Sequence, residues 1–461
     1  MNVDPVIFRQ YDIRGTVGVD LTPDVARLVG RAVAAEAAER LGPGRAPTLA
    51  VGRDNRPSGE SLGAALIEGL VGGGAAVVDV GLVPTPTLYF AIHHLGADGG
   101  IQVTGSHNPP EFNGFKMVLA GLPVAGEEIQ GLRARIVQGR LPTGTGTASR
   151  ALVLDAYRAE ILRRIGRLPR PLRVVLDCGN GVPSVVAPQL LRDLGAEVIE
   201  LFCESDGTFP NHHPDPTVPE NLEDLRRTVR SSGAAIGIAL DGDGDRIGAV
   251  DERADILFGD QLLVLFGRDL VARLGKGRDV IFDVKCSDTL PRALETAGAR
   301  PVMWMTGHSH IKKKMKESGA SLAGEMSGHM FFGPPDYLGF DDALYASCRL
   351  LHILAESGKA LSAHFADVPR LESTPEIRVD CREDLKVAVV EAAARHFAGR
   401  YPTVTIDGVR WRAPDGWGLI RASNTQPILV LRFEAISKEA LGRIRAEASE
   451  VLGAQGVRVP A

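Results

Sequence analysis

Thr48-Leu-Ala-Val-Gly-Arg-Asp54 is a short apolar run with an acidic residue at its carboxyl end. Such a run reads as a buried strand entering a polar turn. A helical pattern over residues 58–72 follows, with Ser58 at the N-cap position, and then a second apolar run, Ala75-Ala-Val-Val-Asp-Val80. The same succession recurs twice. Arg173-Val-Val-Leu-Asp177, a helix over 183–194 and Ala196-Glu-Val-Ile-Glu-Leu201 form the second copy. Val280-Ile-Phe-Asp283, a helix over 288–297 and Arg300-Pro-Val-Met-Trp304 form the third. Each copy closes with a third apolar run that opens into a polar, glycine-containing motif. These motifs are Thr104-Gly-Ser-His-Asn-Pro109, Asp241-Gly-Asp-Gly-Asp-Arg246 and Gly324-Glu-Met-Ser-Gly-His329. Strands alternating with helices predict α/β units with mixed, largely parallel sheets. In such units ligands bind beyond the carboxyl ends of the strands, so the three motifs are expected to face one central cleft.

The pattern changes toward the carboxyl end. Pro375-Glu-Ile-Arg-Val-Asp380 reads as a strand and 385–398 as a helix. Three further runs follow, Gly408-Val-Arg-Trp-Arg412, Gly416-Trp-Gly-Leu-Ile-Arg421 and Ile428-Leu-Val-Leu-Arg-Phe-Glu434. Turns at Pro414-Asp-Gly416 and Ser423-Asn-Thr425 connect them into a meander. The expected fold is α/β: three similar domains over 1–148, 149–252 and 253–366, and a C-terminal α+β domain over 367–461.

Composition narrows the function. With 461 residues, 44% hydrophobic and 24% charged, the chain has an ordinary globular composition and length for several cores. Its net charge of −5 argues against a nucleic-acid backbone as partner. The five cysteines are scattered without a CxxC spacing, which argues against a disulfide scaffold or zinc knuckle and predicts a reducing compartment. No run approaches ~20 uninterrupted apolar residues, and Met1 to Gly15 has no signal-peptide core. A cytoplasmic protein with no membrane partner is expected.

The motifs differ in how sharply they speak. Asp241, Asp243 and Asp245 alternate with glycine, and like charges so close repel unless a cation neutralises them. Oxygen-only ligands suit magnesium or calcium. A calcium-loop reading gains from Glu252 at the twelfth position, but Arg246 stands at the sixth, where that loop needs glycine. Ser106 sits in a turn constrained by glycine and proline, beside His107, as a candidate nucleophile or a plain capping turn. Glu325, Ser327 and His329 offer a carboxylate, a hydroxyl and an imidazole, suited to sugar hydroxyls and proton transfer, or merely to a polar loop. Arg421-Ala-Ser-Asn-Thr-Gln-Pro427 is a candidate anion nest or a hairpin turn. Arg9, Tyr11 and Arg14 lie in a segment able to reach a cleft, and Lys312-Lys-Lys314 is expected to be a solvated helix face. No nucleotide-binding fingerprint occurs.

Taken in order, Tyr-Asp-Ile-Arg-Gly at 11–15 and the motifs at 104–109, 241–246, 324–329 and 421–427 resemble those of the α-D-phosphohexomutase family along essentially the whole chain. The resemblance implies four domains around a cleft and reversible phosphate transfer between C1 and C6 of a hexose phosphate. Ser106 matches the phosphoserine, and Asp241, Asp243 and Asp245, with an oxygen on Ser106, match the Mg2+ ligands. Arg246 matches a phosphoryl-neutralising residue, and Lys116 and His329 the acid/base candidates. Glu325 and Ser327 match the readers of sugar hydroxyls, and Tyr11, Arg14, Lys285 and His308 further cleft positions. Arg421, Ser423, Asn424 and Thr425 match the site of the non-reacting phosphate. Met326 favours the mannose/glucose branch over phosphoglucosamine mutases, which usually carry Gln there. The resemblance also implies glucose or mannose 1,6-bisphosphate as activator and intermediate, turning end for end as the tail domain swings, and a monomer or weak homodimer. A sugar phosphatase is the more distant alternative.

Overall fold

A computed structural model describes residues 3–423 and 426–460 and arranges them on four β-sheets. The three sequence copies build one arrangement. In the first sheet Thr48–Arg53 lies between Ala76–Leu82 and Gly99–Val103, parallel to both. In the second, Arg173–Asp177 lies between Glu197–Leu201 and Ile236–Leu240. In the third, Asp279–Asp283 lies between Arg300–Trp304 and Leu322–Gly324. Each sheet then adds an antiparallel return strand: Phe112–Leu119, Ile247–Asp251 and Met330–Phe332.

That return strand positions the functional loops. Each polar motif is the loop of a hairpin, held at both ends by the same sheet, and is therefore fixed more tightly than a strand-to-helix turn. The strand Phe112–Leu119 is the hardest of the three to read from an apolar pattern. It buries Asn113 and Lys116 along with Phe115 and Met117, so polar and apolar positions are alike enclosed.

Two helices depart from expectation. Ser58 stands before the helix Gly59–Gly72 but makes no cap; its hydroxyl accepts from Asn113 Nδ2 at 2.9 Å, tying the helix start to the return strand. The expected helix over 183–194 breaks at Val186 into a 3-10 turn, Val182–Val185, and the α-helix Ala187–Leu194. Pro188, which has no N–H to satisfy, sits in the first turn where that costs nothing.

The fourth sheet is antiparallel throughout. Ile428–Ala435 pairs with Gly416–Ala422 on one side and with Glu372–Ser373 and Ile377–Asp380 on the other. Val409–Ala413 and Thr403–Val404 extend it. The helices Lys386–Ala398 and Lys438–Gly453 pack on it, the second capped by Ser437, whose hydroxyl accepts from Ala440 N at 3.2 Å. Phe397 stacks on Trp411 with ring centroids 3.7 Å apart, at the middle of a core confined to this sheet and its helices. The first three sheets instead share one continuous core on one face, which includes Ala50 and Leu88, Leu176 and Ile238, and Phe282 and Leu322, and each has a separate core on its other face, around Val51, Val175 and Ile281. No described helix is long and apolar enough to cross a membrane.

Candidate active site

The first and second hairpin loops meet. Ser106 is buried, with its backbone in the left-handed region at φ 51°. Its Oγ lies 3.1 Å from Asp241 Oδ2 and 3.3 Å from His107 Nδ1. A non-glycine residue in that conformation is uncommon and persists only where its surroundings enforce it.

Asp241 organises its own loop. One carboxylate oxygen, Oδ1, accepts from the backbone N–H groups of Gly244, Asp245 and Arg246 at 2.9, 3.1 and 3.1 Å. The other faces Ser106. Asp243 Oδ2 accepts from Thr85 Oγ1 at 2.5 Å and from Lys116 Nζ at 2.7 Å, and Lys116 also pairs with Asp245 Oδ2. Asp243 Oδ1 and Asp245 Oδ1 remain buried without a hydrogen-bond partner. The three aspartates offer ligand oxygens all within 4.8 Å of one another. Orphaned, buried carboxylate oxygens are costly, and a hard divalent cation with oxygen ligands satisfies them. Glu252 points elsewhere, accepting from Ser362 Oγ at 2.5 Å, so the calcium-loop geometry does not form.

The electrostatics agree. Burial, then the charges of Asp245 and Asp243, push the Asp241 carboxyl well above its usual range. Burial works against the Lys116 ammonium, but the facing Asp243, Asp245 and Asp241 outweigh it and hold Lys116 protonated. Lys116 thus serves as the internal counter-ion of the acidic cluster.

The third hairpin loop joins through Arg246, whose Nε donates to His329 Nε2 at 2.9 Å. His329 Nδ1 lies 3.1 Å from Asp341 Oδ2, and Lys312 Nζ donates to Asp341 Oδ1 at 2.8 Å. The expected solvated lysine run is therefore corrected at Lys312, which is buried on the helix His308–Ser318 with its ammonium 4.4 Å from the Tyr89 ring centroid. His308 is half-buried beside it, and desolvation followed by the charge of Lys312 holds its imidazole well below the ordinary value. Glu325 is buried and accepts from Gly307 N at 2.6 Å, while Ser327 is half-buried next to it.

The amino-terminal segment and the fourth sheet complete the enclosure. Tyr11 donates its hydroxyl to Thr306 O at 2.9 Å, and Arg14 donates to Asn108 Oδ1 at 2.9 Å. Arg421 Nε donates to Asp407 Oδ2 at 3.0 Å, and the same oxygen accepts from Thr306 N at 2.9 Å. Ser423 is buried and its hydroxyl accepts from Gln426 N at 3.2 Å; Asn424 and Thr425 lie outside the described residues. Lys285, also buried, pairs with Glu376 at 3.3 Å, linking the third sheet to the fourth. Sequence reasoning missed Arg56, Thr85, Asp341 and Asp407. The doublet Asp341-Asp342 before an apolar helix was the one signal available for Asp341; Asp407 and Thr85 are recognisable only once distant strands are brought together.

The Lys285–Glu376 link carries a pH dependence. Lys285 holds the Glu376 carboxyl at about 2, below its ordinary 4.5. A depressed carboxyl contributes stability above its unfolded value and loses it as pH falls through the folded one. Glu376→Gln is expected to lower the melting temperature at pH 7, with the gap to the parent chain closing between pH 4.5 and about 2; a gap independent of pH in thermal melts would contradict it.

Comparison with known proteins places four domain families on the chain. Phosphoglucomutase/phosphomannomutase α/β/α domains I, II and III match residues 5–141, 156–255 and 258–371, and the C-terminal domain matches 376–451. The phosphomannomutase/phosphoglucomutase of Pseudomonas aeruginosa is 51% identical over 440 residues, 95% of this chain and 94% of that one. The phosphoglucomutase of Neisseria gonorrhoeae is 46% identical over 444 residues, 95% of each chain. A crystal structure of a phosphoglucomutase/phosphomannomutase family protein from Burkholderia thailandensis superposes with a TM-score of 0.91 at 45% identity, covering 100% of both chains.

Proposed function

Because the chain belongs to the phosphoglucomutase/phosphomannomutase family of α-D-phosphohexomutases, we propose that its cleft works as a phosphoserine mutase centred on Ser106. The enzyme is an isomerase that interconverts the 1- and 6-phosphates of mannose and glucose. The observation that carries the residue assignment is the contact of the Ser106 hydroxyl with a buried carboxylate cluster that still has two unsatisfied oxygens.

Asp241, Asp243 and Asp245 would hold Mg2+, and an oxygen on Ser106 would be a further ligand. When bound, the metal supplies charge neutralisation at the phosphoryl oxygens. Arg246 adds a fixed guanidinium, and Glu325 and Ser327 hold sugar hydroxyls. Arg421, Ser423, Asn424 and Thr425 receive the phosphate that does not react, with Lys285, His308, Tyr11 and Arg14 lining the rest. Phosphoryl transfer from Ser106 to the sugar breaks the Oγ–P bond and forms an O–P bond at C1 or C6, while the sugar hydroxyl gives up its proton. Lys116 and His329, the latter backed by Asp341, are the acid/base candidates for taking the sugar proton and returning one to Ser106 Oγ. The hexose 1,6-bisphosphate so formed turns end for end before its other phosphate returns to Ser106. A fourth sheet with its own core supports movement of that domain as a body during this turn. A cytoplasmic monomer or weak homodimer completes the reading.

The test is turnover of glucose 1-phosphate and mannose 1-phosphate with Mg2+ and a trace of glucose 1,6-bisphosphate. Appearance of the 6-phosphates supports the reading. Release of inorganic phosphate without isomerised sugar would replace it with a phosphatase, and preference for the amino sugar with a phosphoglucosamine mutase.

A further inference from the structure

The serine loop is held from behind by a residue to which the reaction assigns nothing. Arg56 follows the strand Thr48–Arg53 and is 2% exposed. All three guanidinium nitrogens are used. Nη2 donates to Ser106 O at 2.7 Å and Asn108 O at 2.5 Å, and Nη1 to Pro109 O at 2.5 Å and Phe112 O at 2.9 Å. Nε donates to Asp54 Oδ2 at 3.2 Å. The same Asp54 oxygen accepts from Thr104 Oγ1 at 2.7 Å and Gly105 N at 3.2 Å, and Thr104 Oγ1 accepts in turn from Ser106 N at 2.8 Å. Arg56 therefore holds the carbonyl side of Ser106, and Asp54 its N–H side.

Two close approaches make this a determinant of distance as well as of fold. A Cβ on Gly105 would stand 2.5 Å from Arg56 Cζ, so the guanidinium packs directly against the loop backbone. A Cβ on Gly242 would stand 2.5 Å from Ser106 O, so the same carbonyl that Arg56 binds abuts the aspartate loop. On its other side the guanidinium lies 5.1 Å from the Phe209 ring centroid, a residue of the second unit. The fork thus sets both the left-handed backbone of Ser106 and its spacing from Asp241 across a domain boundary.

We propose that Arg56 is the positioning residue of the phosphoacceptor serine, acting through the loop carbonyls. This rests on Ser106 being the phosphorylated residue. A planar fork with five donors can gather four carbonyls and a carboxylate; an ammonium with three cannot. A misplacement of about 1 Å at a reacting atom costs on the order of 100-fold in rate.

The experiment measures transfer of labelled phosphate from glucose 1,6-bisphosphate to the protein, with the labelled residue located by mass spectrometry, alongside kcat, KM and melting temperature. Arg56→Lys is expected to slow labelling of Ser106 and kcat together by about 100-fold while KM for glucose 1-phosphate stays within about twofold. Should that variant not fold, Asp54→Asn, which keeps the shape and weakens the hold on Arg56, is expected to slow the same step by about tenfold. Labelling at the parental rate in the folded variants, or a loss of kcat and KM in proportion to lowered melting temperature, overturns the proposal. Label found on a residue other than Ser106 in the parent chain overturns the serine assignment and the proposal with it.

Discussion

Ser106→Ala is expected to lower exchange of phosphate between C1 and C6 by about 10⁴-fold or more while leaving the Kd for glucose 1-phosphate within about threefold. The size follows from the kind of loss. On the proposed role of Ser106 as the covalent link it has no substitute in the cleft, since the neighbouring His107 Nδ1 and Asp241 Oδ2 are its partners and are not replacements for it. Binding is spared because the groups proposed to hold the sugar and its distal phosphate, Glu325 and Arg421, belong to other sheets. The alanine also leaves the Thr104–Asp54 and Arg56 contacts in place, as these use the backbone of Ser106 and not its side chain. Isothermal titration with substrate, beside a coupled assay of exchange, separates the two quantities. Exchange within tenfold of the parent would remove Ser106 from the reaction.

Lys116→Met carries the second large effect, and its sign is unusual. Lys116 is the buried ammonium that neutralises Asp243 and Asp245. Removing one partner of a buried charge pair costs about 3–5 kcal/mol, because the remaining charges lie unpaired in a low-dielectric interior. With three carboxylates left facing one another, the metal-free variant is expected to melt well below the parent. A divalent cation then has no competitor for those oxygens. Mg2+ is expected to bind at least about tenfold more tightly than in the parent and to restore most of the lost stability, while turnover falls by about 100-fold or more if Lys116 is the acid/base group. Thermal melts with Mg2+ and with a chelator check this. A variant whose melting temperature ignores Mg2+ would mean that the aspartates are not a cation site.

The sequence and the structure coincide where residues repeat or cluster. The three copies of strand, helix and strand were legible because short apolar runs recurred at like positions, and the chain folds them into like sheets. The aspartate triad stood out because acids at alternate positions between glycines repel one another, and the structure brings the three carboxylates together around Lys116. The return strand Phe112–Leu119 was hidden because it buries Asn113 and Lys116, whose side-chain N–H groups donate to residues brought from elsewhere. Lys312 was misread for the same reason: its partner, Asp341, is 29 positions away and on another element. Arg56 sits in a run of ordinary turn residues, Asp54-Asn-Arg-Pro57, and nothing in that run records that its fork closes on a loop some fifty residues later.

The cores described above divide the chain differently from its sheets. Three sheets share one apolar interior through one face each and keep separate cores on their other faces, so separating any of them strips side chains such as Leu176 and Phe282 of neighbours. The fourth sheet closes one interior with its own two helices, while Trp417 and Leu419 on its other face pack against Val284 of the third unit. Cooperativity of unfolding follows shared interior and not sheet count. As a folding problem the fourth domain is therefore a body of its own: a shift against the rest opens the Val284–Trp417–Leu419 contact and leaves its helix-covered interior closed.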